Sequence, residues 1–216
     1  MIHRLLTILF PSPCLICGYL EEILCIDCQK QLKFLPHIRQ VNELRIYSPH
    51  LYEKATAVEQ LINPFKYSHQ SRVAHYFAPK MVETLRLLGS QDQPILVPVP
   101  LHKKRFKERG YNQSFILASL VAKQLGLEVC EYLIRTKETQ SQAQVARKKD
   151  RIANLKDAFE TQSTPAQGRH LILVDDIVTS GATLLECQRC LLSAGAHSVS
   201  ALTLANRAYE TKNPWN

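Results

Sequence analysis

Two adjacent carboxylates and a run of small, hydroxyl-rich residues stand close together near residue 180. The carboxylates follow the apolar run 171–174 and are Asp175 and Asp176, and the small residues are Thr179, Ser180, Gly181, Ala182 and Thr183. Open α/β sheets bind ligands at the carboxyl ends of their strands. N–H groups and hydroxyls at the start of the following helix could surround a phosphate, and the helix N-terminus adds about half a positive charge. We expect the carboxylates to meet ribose hydroxyls or a metal-bound sugar phosphate; the alternative is an Asx-type turn into a capped helix.

Four cysteines near the N-terminus have the spacing of a metal site. They follow the pattern C-x2-C-x7-C-x2-C and are Cys14, Cys17, Cys25 and Cys28. Four thiolates make a closed tetrahedral Zn²⁺ site with no open position for catalysis. Glu21, Glu22 and Asp27 make this segment too polar for the alternative, four reduced cysteines in a core. The spacing therefore predicts structural zinc, whereas Cys187 and Cys190 fall among leucines of a predicted helix and are expected to pack in the core.

Positive charge is concentrated in one part of the chain. The formal net charge is +8, and residues 100–155 alone hold 12 Lys or Arg against 5 Asp or Glu. Five of these cations lie in a loop predicted after a strand, namely Lys103, Lys104, Arg105, Lys107 and Arg109, and Arg135 follows a later strand. Such a loop could reach the diphosphate of a sugar-phosphate ligand, or bind single-stranded nucleic acid with Phe106 and Tyr111 stacking on bases. A solvated basic face is the third alternative.

The elements that must position these residues alternate between strands and helices. The sequence predicts strands at 45–52, 94–100, 127–135, 171–174 and 198–204, and helices at 55–62, 71–88, 114–125 and 181–194, with apolar residues at helical spacing in 71–88. Continuous rather than alternating apolar strands indicate a buried parallel sheet covered by helices on both faces. The polar segment 136–168, with a possible short helix at 148–155, has the length of a loop that is either functional or disordered. We therefore predict a small zinc module at 1–40 and an α/β domain at 41–216.

Cysteine usage and hydropathy indicate the compartment. Seven cysteines in a chain without a recognisable export signal indicate a reducing environment. The apolar run 5–10 is six residues long, far short of a membrane span. We expect a cytoplasmic protein with no membrane span.

The stretch 171–184 resembles the signature of type I phosphoribosyltransferases, which bind 5-phosphoribosyl 1-diphosphate. The resemblance implies that Asp175 and Asp176 meet the ribose 2′- and 3′-hydroxyls and that residues 179–183 bind the 5′-phosphate, with Mg²⁺ on the diphosphate. The motif says little about a second substrate.

A longer pattern narrows this resemblance. V-P-V-P-L-x-x-x-R-x-x-x-R-G-Y-N-Q-S, which begins at Val97 and lies between the cysteine cluster and the phosphate loop, is similar to the ComF family. That family implies a bacterial competence protein acting on incoming single-stranded DNA in natural transformation, with a ComFA-type helicase and DprA as partners. The alternative is a working transferase that moves ribose 5-phosphate to a base or amine, with Asp175 and Asp176 stabilising an oxocarbenium-like centre.

Overall fold

The computed structural model describes residues 12–20, 22–88, 93–138, 155, 157–162 and 168–207. The strands are β1 (His37–Val41), β2 (Leu44–Ser48), β3 (His50–Tyr52), β4 (Ile95–Pro98), β5 (Glu128–Val129), β6 (Leu133–Arg135), β7 (Phe159–Thr161), β8 (His170–Val178) and β9 (Ser198–Arg207). The α-helices are α1 (Ile26–Gln29), α2 (Ala57–Tyr67), α3 (Ala74–Leu88), α4 (Lys103–Arg109), α5 (Gln113–Leu125) and α6 (Ala182–Ser193), and Ser71–Val73 forms a 3-10 turn.

The main sheet brings the carboxyl ends of three strands to one edge. Within the described ranges it has seven strands in the order β1-β2-β9-β8-β4-β5, with β3 paired to the end of β9. Every pair is parallel except β1 with β2. Pro98 of β4 lies opposite Val174 of β8, so Val99 and Asp175 emerge together at this edge. The predicted buried parallel sheet flanked by helices is confirmed.

Side chains alternate between the two faces of the sheet and join two apolar clusters. Ile172 and Val174 of β8 pack into one cluster with α2, α3 and α5, and Leu171 and Leu173 pack into the other with α6. This follows from the two-residue period of a strand, in which successive side chains point to opposite faces. Helices therefore cover β8 on both faces, which explains its continuous apolar sequence.

The four-cysteine segment packs on the first of these clusters. Cys14, Ile23, Leu24 and Cys28 are all less than one-tenth exposed and belong to the same cluster as Phe77 of α3. Arg72 Nη2 also donates a hydrogen bond to Ser12 Oγ over 2.8 Å. The cysteine segment therefore shares its core with the α/β sheet.

The first strands differ from the prediction. The predicted strand at 45–52 is divided into β2 and β3 at Pro49, which has no N–H to donate to a sheet ladder. The sequence analysis also missed β1, whose polar and apolar residues give it only a short, weak pattern. β1 crosses residue 40, and the division into modules at 1–40 and 41–216 stays a prediction.

Helix α2 is longer than predicted, because it continues past a proline. Thr56 begins it by accepting a hydrogen bond from the Glu59 N–H over 3.4 Å. Pro64 removes one backbone hydrogen bond, but Phe65 is fully buried and continues the apolar face of the helix. The predicted helix at 71–88 likewise begins with a 3-10 turn before α3.

The central part of the chain brings two further corrections. The basic stretch after β4 is helix α4, capped by His102, and not a loop. The predicted strand at 127–135 is two strands, because β5 pairs with β4 while β6 leaves the main sheet and pairs antiparallel with β7. The apolar run 5–10 and most of the predicted helix at 148–155 lie outside the described residues.

Across the part of the chain that the structure describes, every helix is too short or too polar to cross a membrane.

Candidate functional site

A cavity of about 500 Å³ lies at the carboxyl ends of β4, β8 and β9. It collects residues that the sequence analysis singled out in three separate segments, and those that line it are Asp175, Asp176, Thr179, Thr183, Arg105, Arg109 and Arg135. Ser180, Gly181 and Ala182 are not among its lining residues. Two residues of the predicted phosphate loop and three of the six cations singled out in the sequence therefore face one pocket.

The two carboxylates lie within β8, which continues to Val178 instead of ending at residue 174. Ser114 Oγ donates a hydrogen bond to Asp175 Oδ1 over 3.0 Å, and the Asp176 N–H donates to the same oxygen over 2.9 Å. Burial, followed by the charge of Asp176, raises the pKa of Asp175 to about 7. The pocket therefore has a carboxyl group that can exchange a proton near neutral pH.

Asp176 forms an ion pair with a residue that the sequence analysis did not assign to the site. Lys66 Nζ lies 2.9 Å from Asp176 Oδ1, and the side chains are only 17% and 11% exposed. Lys66 belongs to the last turn of α2. This contact brings together two residues far apart in the chain, so residue spacing does not predict it.

The loop between β8 and α6 needs glycine at one position. Gly181 precedes α6 with φ +80°, and a Cβ built there would lie 3.2 Å from Val41 Cγ1 of β1. A left-handed φ of this kind is costly for any residue with a Cβ. The Thr179 carbonyl accepts a hydrogen bond from Arg39 Nη1 over 2.7 Å, so β1 supports the loop at two points.

Helix α4 directs its cations to two sides. Arg105 and Arg109 are four residues apart and line the cavity, as i and i+4 positions share a helix face. Lys103 and Lys107 are exposed and do not line it. Lys104 is 2.8 Å from Glu138, in an exposed ion pair. The structure thus brings two of the five predicted cations of this stretch into the pocket.

The segment after α4 holds neighbouring elements in place. Tyr111 OH and Gln113 Nε2 both donate to the Phe65 carbonyl, over 2.6 and 3.2 Å. Asn112 Nδ2 donates to the Val99 carbonyl over 3.1 Å, and Arg109 Nη1 donates to Gln113 Oε1 over 3.1 Å. The R-G-Y-N-Q-S pattern therefore joins the end of α2 to the start of α5.

Arg135 enters the cavity from β6. Its Cζ lies 5.2 Å from the centre of the Phe159 ring of β7. Burial, followed by the charge of Arg105, lowers the pKa of Arg135 to about 10. It stays protonated at neutral pH, so the cavity contains a partly desolvated positive charge.

Sequence reasoning missed several other residues of the cavity wall. Besides Lys66 these are Tyr52, Asn63, Tyr67 and Arg207. Tyr67 is 69% exposed, and the Arg109 Cζ lies 5.2 Å from its ring centre. The pattern that could have found part of this wall is Phe65-Lys66-Tyr67, an aromatic pair around a lysine.

The four N-terminal cysteines could hold a metal ion. Their sulfur atoms all lie within 4.8 Å of one another. A tetrahedral site with Zn–S bonds of about 2.3 Å has sulfurs about 3.8 Å apart, and the sulfurs of Cys17 and Cys25 are 3.7 Å apart. The donor set and its spacing therefore fit a thiolate-bound zinc ion.

The electrostatics of this cluster also favour a cation. Burial raises the pKa of Cys14, but hydrogen bonds from the backbone of Cys17, Cys25 and Ile16 outweigh burial and lower it to about 6. Burial and contact with the other sulfurs raise the pKa of Cys28. The cluster thus favours a thiolate at Cys14 and opposes a second thiolate at Cys28. A divalent cation bound between the sulfurs would offset this repulsion between negative charges.

Comparison with known proteins gives the family. Residues 112–215 match the phosphoribosyl transferase domain family. The chain is 31% identical over 194 residues to competence protein ComFC of Bacillus subtilis, covering 88% of this chain and 76% of that protein. It is also 31% identical over 193 residues to the DNA utilization protein YhgH of Escherichia coli, covering 87% of this chain and 81% of that protein.

Among solved structures, adenine phosphoribosyltransferase from Thermoanaerobacter pseudethanolicus is 11% identical, with a TM-score of 0.43 over 82% of this chain and 87% of that one. The identity to ComFC extends over most of both proteins. The chain belongs to the ComF family and carries a phosphoribosyl transferase domain.

Proposed function

We propose that this chain binds 5-phosphoribosyl 1-diphosphate in the cavity at the end of β8 and handles single-stranded DNA during natural transformation. The single observation behind the ligand is that Asp175 and Asp176 share one cavity with Thr179, Arg105 and Arg109. These groups together suit a ribose with phosphates at both ends. The phosphoribosyl transferase match supports the same ligand.

Each part of the cavity has a role in this complex. Asp175 and Asp176 accept hydrogen bonds from the ribose hydroxyls, and the N–H groups of residues 179–183 bind the 5′-phosphate at the N-terminus of α6. Arg105 and Arg109 face the diphosphate, with Arg135 behind them. Mg²⁺ bound to the diphosphate would neutralise part of its charge.

The outer face of α4 is the proposed DNA contact. Lys103 and Lys107 are exposed, and Phe106 between them is 50% exposed. Lysines that neutralise phosphates give salt-dependent affinity without sequence preference, and an exposed aromatic ring can stack on an unpaired base. The relatives are a competence protein and a DNA utilization protein, which supports this role.

The remaining parts of the proposal concern metal and partners. Zn²⁺ bound by Cys14, Cys17, Cys25 and Cys28 would stabilise the fold and supply no reactive position, because all four ligands come from the protein. We place the protein in the cytoplasm, with a ComFA-type helicase and DprA as partners in DNA uptake.

Calorimetry on the full chain tests the ligand. Wild type should bind 5-phosphoribosyl 1-diphosphate in the presence of Mg²⁺, and Asp175→Asn and Asp176→Asn should each weaken it at least about tenfold, the loss of about 1.4 kcal/mol expected for one hydrogen bond to a charged group. Asp157→Asn is the matched control, because that carboxylate is exposed and belongs to another part of the surface. Absence of binding to wild type would refute the proposed ligand.

Fluorescence anisotropy with a labelled oligothymidylate tests the DNA contact. Changing Lys103 and Lys107 together to alanine should lower the slope of log affinity against log salt by about 1.4, as each contact to a single strand contributes about 0.7. Phe106→Ala should weaken binding without changing that slope. A double change of Lys30 and Arg86, both exposed and outside α4, controls for net charge. Equal losses in both double variants would refute a DNA site on α4.

One observation favours a second candidate, a phosphoribosyl transfer to a base or amine. Asp175 has its pKa raised to about 7, mainly by burial, which suits a group that takes up a proton from an attacking nucleophile. Release of diphosphate from 5-phosphoribosyl 1-diphosphate in the presence of a panel of bases and amines tests this candidate. Release with wild type but not with Asp175→Asn, at a concentration of 5-phosphoribosyl 1-diphosphate that saturates both proteins, would support it.

A further inference from the structure

Lys66 and Asp176 form an ion pair inside the cavity that differs from the pairs on the surface. Their side chains are 17% and 11% exposed, whereas both partners of Lys30–Asp27, Lys80–Glu83 and Lys104–Glu138 are at least 43% exposed. Water therefore screens the Lys66–Asp176 pair much less than the surface pairs. Removal of either partner leaves a poorly solvated charge behind.

Both members of this pair are fixed by their surroundings. Lys66 follows Phe65, whose carbonyl accepts hydrogen bonds from Tyr111 and Gln113. The Asp176 Oδ1 atom that contacts Lys66 also accepts a hydrogen bond from the Ile177 N–H over 2.6 Å. The anchored end of α2 thus holds the Lys66 ammonium group beside the Asp176 carboxylate.

This pair has a consequence for ligands, which rests on the proposed function. A ribose hydroxyl that donates to Asp176 must share or displace the Lys66 ammonium. A sugar with only a 5′-phosphate binds the 179–183 loop through that group. It then provides no anion that could replace Asp176 as the partner of Lys66. A sugar with a second phosphate group gives Lys66 a new partner when it leaves Asp176.

We propose that Lys66 is a specificity residue, which neutralises Asp176 in the free pocket and gives up this contact only to a ligand with a second anionic group. The pocket then selects 5-phosphoribosyl 1-diphosphate over ribose 5-phosphate through an exchange of ion pairs. Arg105, Arg109 and Arg135 line the same cavity and attract both ligands.

Calorimetric titration of the full chain with each of the two sugars tests this role. Lys66→Met keeps the length of the side chain and removes its charge. We expect the preference for 5-phosphoribosyl 1-diphosphate to fall at least tenfold, through weaker binding of that ligand and equal or tighter binding of ribose 5-phosphate. Lys80→Met, which removes the lysine of a surface ion pair with Glu83, should leave the preference unchanged. An equal loss for both sugars in Lys66→Met would overturn the inference.

A second measurement follows the ion pair without any ligand. Lys66 opposes the effect of burial on the pKa of Asp175, so carboxyl titration by NMR should give a higher Asp175 pKa in Lys66→Met than in wild type. An Asp175 pKa that is the same in Lys66→Met and wild type, while wild type still binds the sugars, would refute this inference alone. If wild type binds neither sugar, the proposed function fails, and the inference fails with it. Lys66→Gln, which keeps a hydrogen-bond donor, has the same expected loss of preference and replaces Lys66→Met if that variant does not fold.

Discussion

Replacing Gly181 by alanine tests whether β1 sets the shape of the phosphate loop. Two costs are expected. A residue with a Cβ at φ +80° loses about 1–2 kcal/mol relative to glycine. In addition, the new Cβ would lie 3.2 and 3.3 Å from the two methyl groups of Val41, so the loop or β1 must move by a few tenths of an ångström.

Gly126 offers a matched control for the first cost. It has φ +67°, ends α5, and has no atom within 4 Å of a Cβ built on it. Gly126→Ala should therefore lose about 1–2 kcal/mol of unfolding free energy from backbone strain alone. Gly181→Ala should lose at least as much, and the difference between the two variants measures the contact with Val41.

Ligand affinity separates the two variants more sharply than stability. Calorimetry with 5-phosphoribosyl 1-diphosphate should show a loss of about tenfold for Gly181→Ala, or about 1.4 kcal/mol, and no loss for Gly126→Ala. Adding Val41→Ala to Gly181→Ala should restore part of the affinity, because it removes the two methyl groups that the Cβ would meet. Equal affinity in Gly181→Ala and wild type, or no recovery in the double variant, would refute the role of β1.

Three further predictions concern charge, support and metal. Asp175→Asn should become more stable relative to wild type as pH rises from 5 to 7, by at most about 1.4 kcal/mol per pH unit. Burial raises the folded-state pKa of Asp175 to about 7, whereas the unfolded-state pKa is about 3.9. The cost of the Asp175 charge to wild type therefore grows between these two pKa values and levels off above pH 7. Urea unfolding at pH 5 and pH 7 checks this, and a constant difference would contradict it. Arg39→Met should weaken ribose 5-phosphate binding about tenfold in calorimetry, as it removes a charged donor to the Thr179 carbonyl, while the exposed neighbour Gln40→Met should not. Removal of bound zinc by a chelator should lower the midpoint of thermal unfolding of the whole chain by at least about 5 °C, because Cys14 and Cys28 share a core with α3; an unchanged calorimetric transition would show that the cysteine segment does not support the sheet.

The parts of the fold that depend on continuous patterns could be predicted from the sequence. The apolar run before Asp175 and the helix ended by Gly126 are local features, and both are present in the structure. Helix α4 could not be recognised in the same way, because its residues are nearly all charged and none is buried. The separation of β2 from β3 at Pro49 and the pairing of β6 with β7 outside the main sheet depend on which strands are available to pair. Hydropathy carries no information about that.

In the candidate site, too, the local features could be predicted from the sequence and the contacts between distant residues could not. Asp175, Asp176 and residues 179–183 form one continuous stretch, so their common location follows from a single turn. Lys66 and Ser114 reach the same carboxylates from other elements, and Ser114 is 61 residues away from Asp175 in the chain. Contacts of this kind depend on the packing of α2 and α5 against β8, which one sequence does not reveal.

The two faces of α4 have a consequence for genetics. Arg105 and Arg109 line the cavity, while Lys103 and Lys107 are exposed on another side of the same short helix. Alleles that alter one pair therefore leave the other side chains in place. If the proposed function holds, strains that carry one allele each will separate the contribution of the sugar phosphate from that of the DNA contact in transformation. Two such alleles that complement each other in trans would mean that the two faces can work in different copies of the protein.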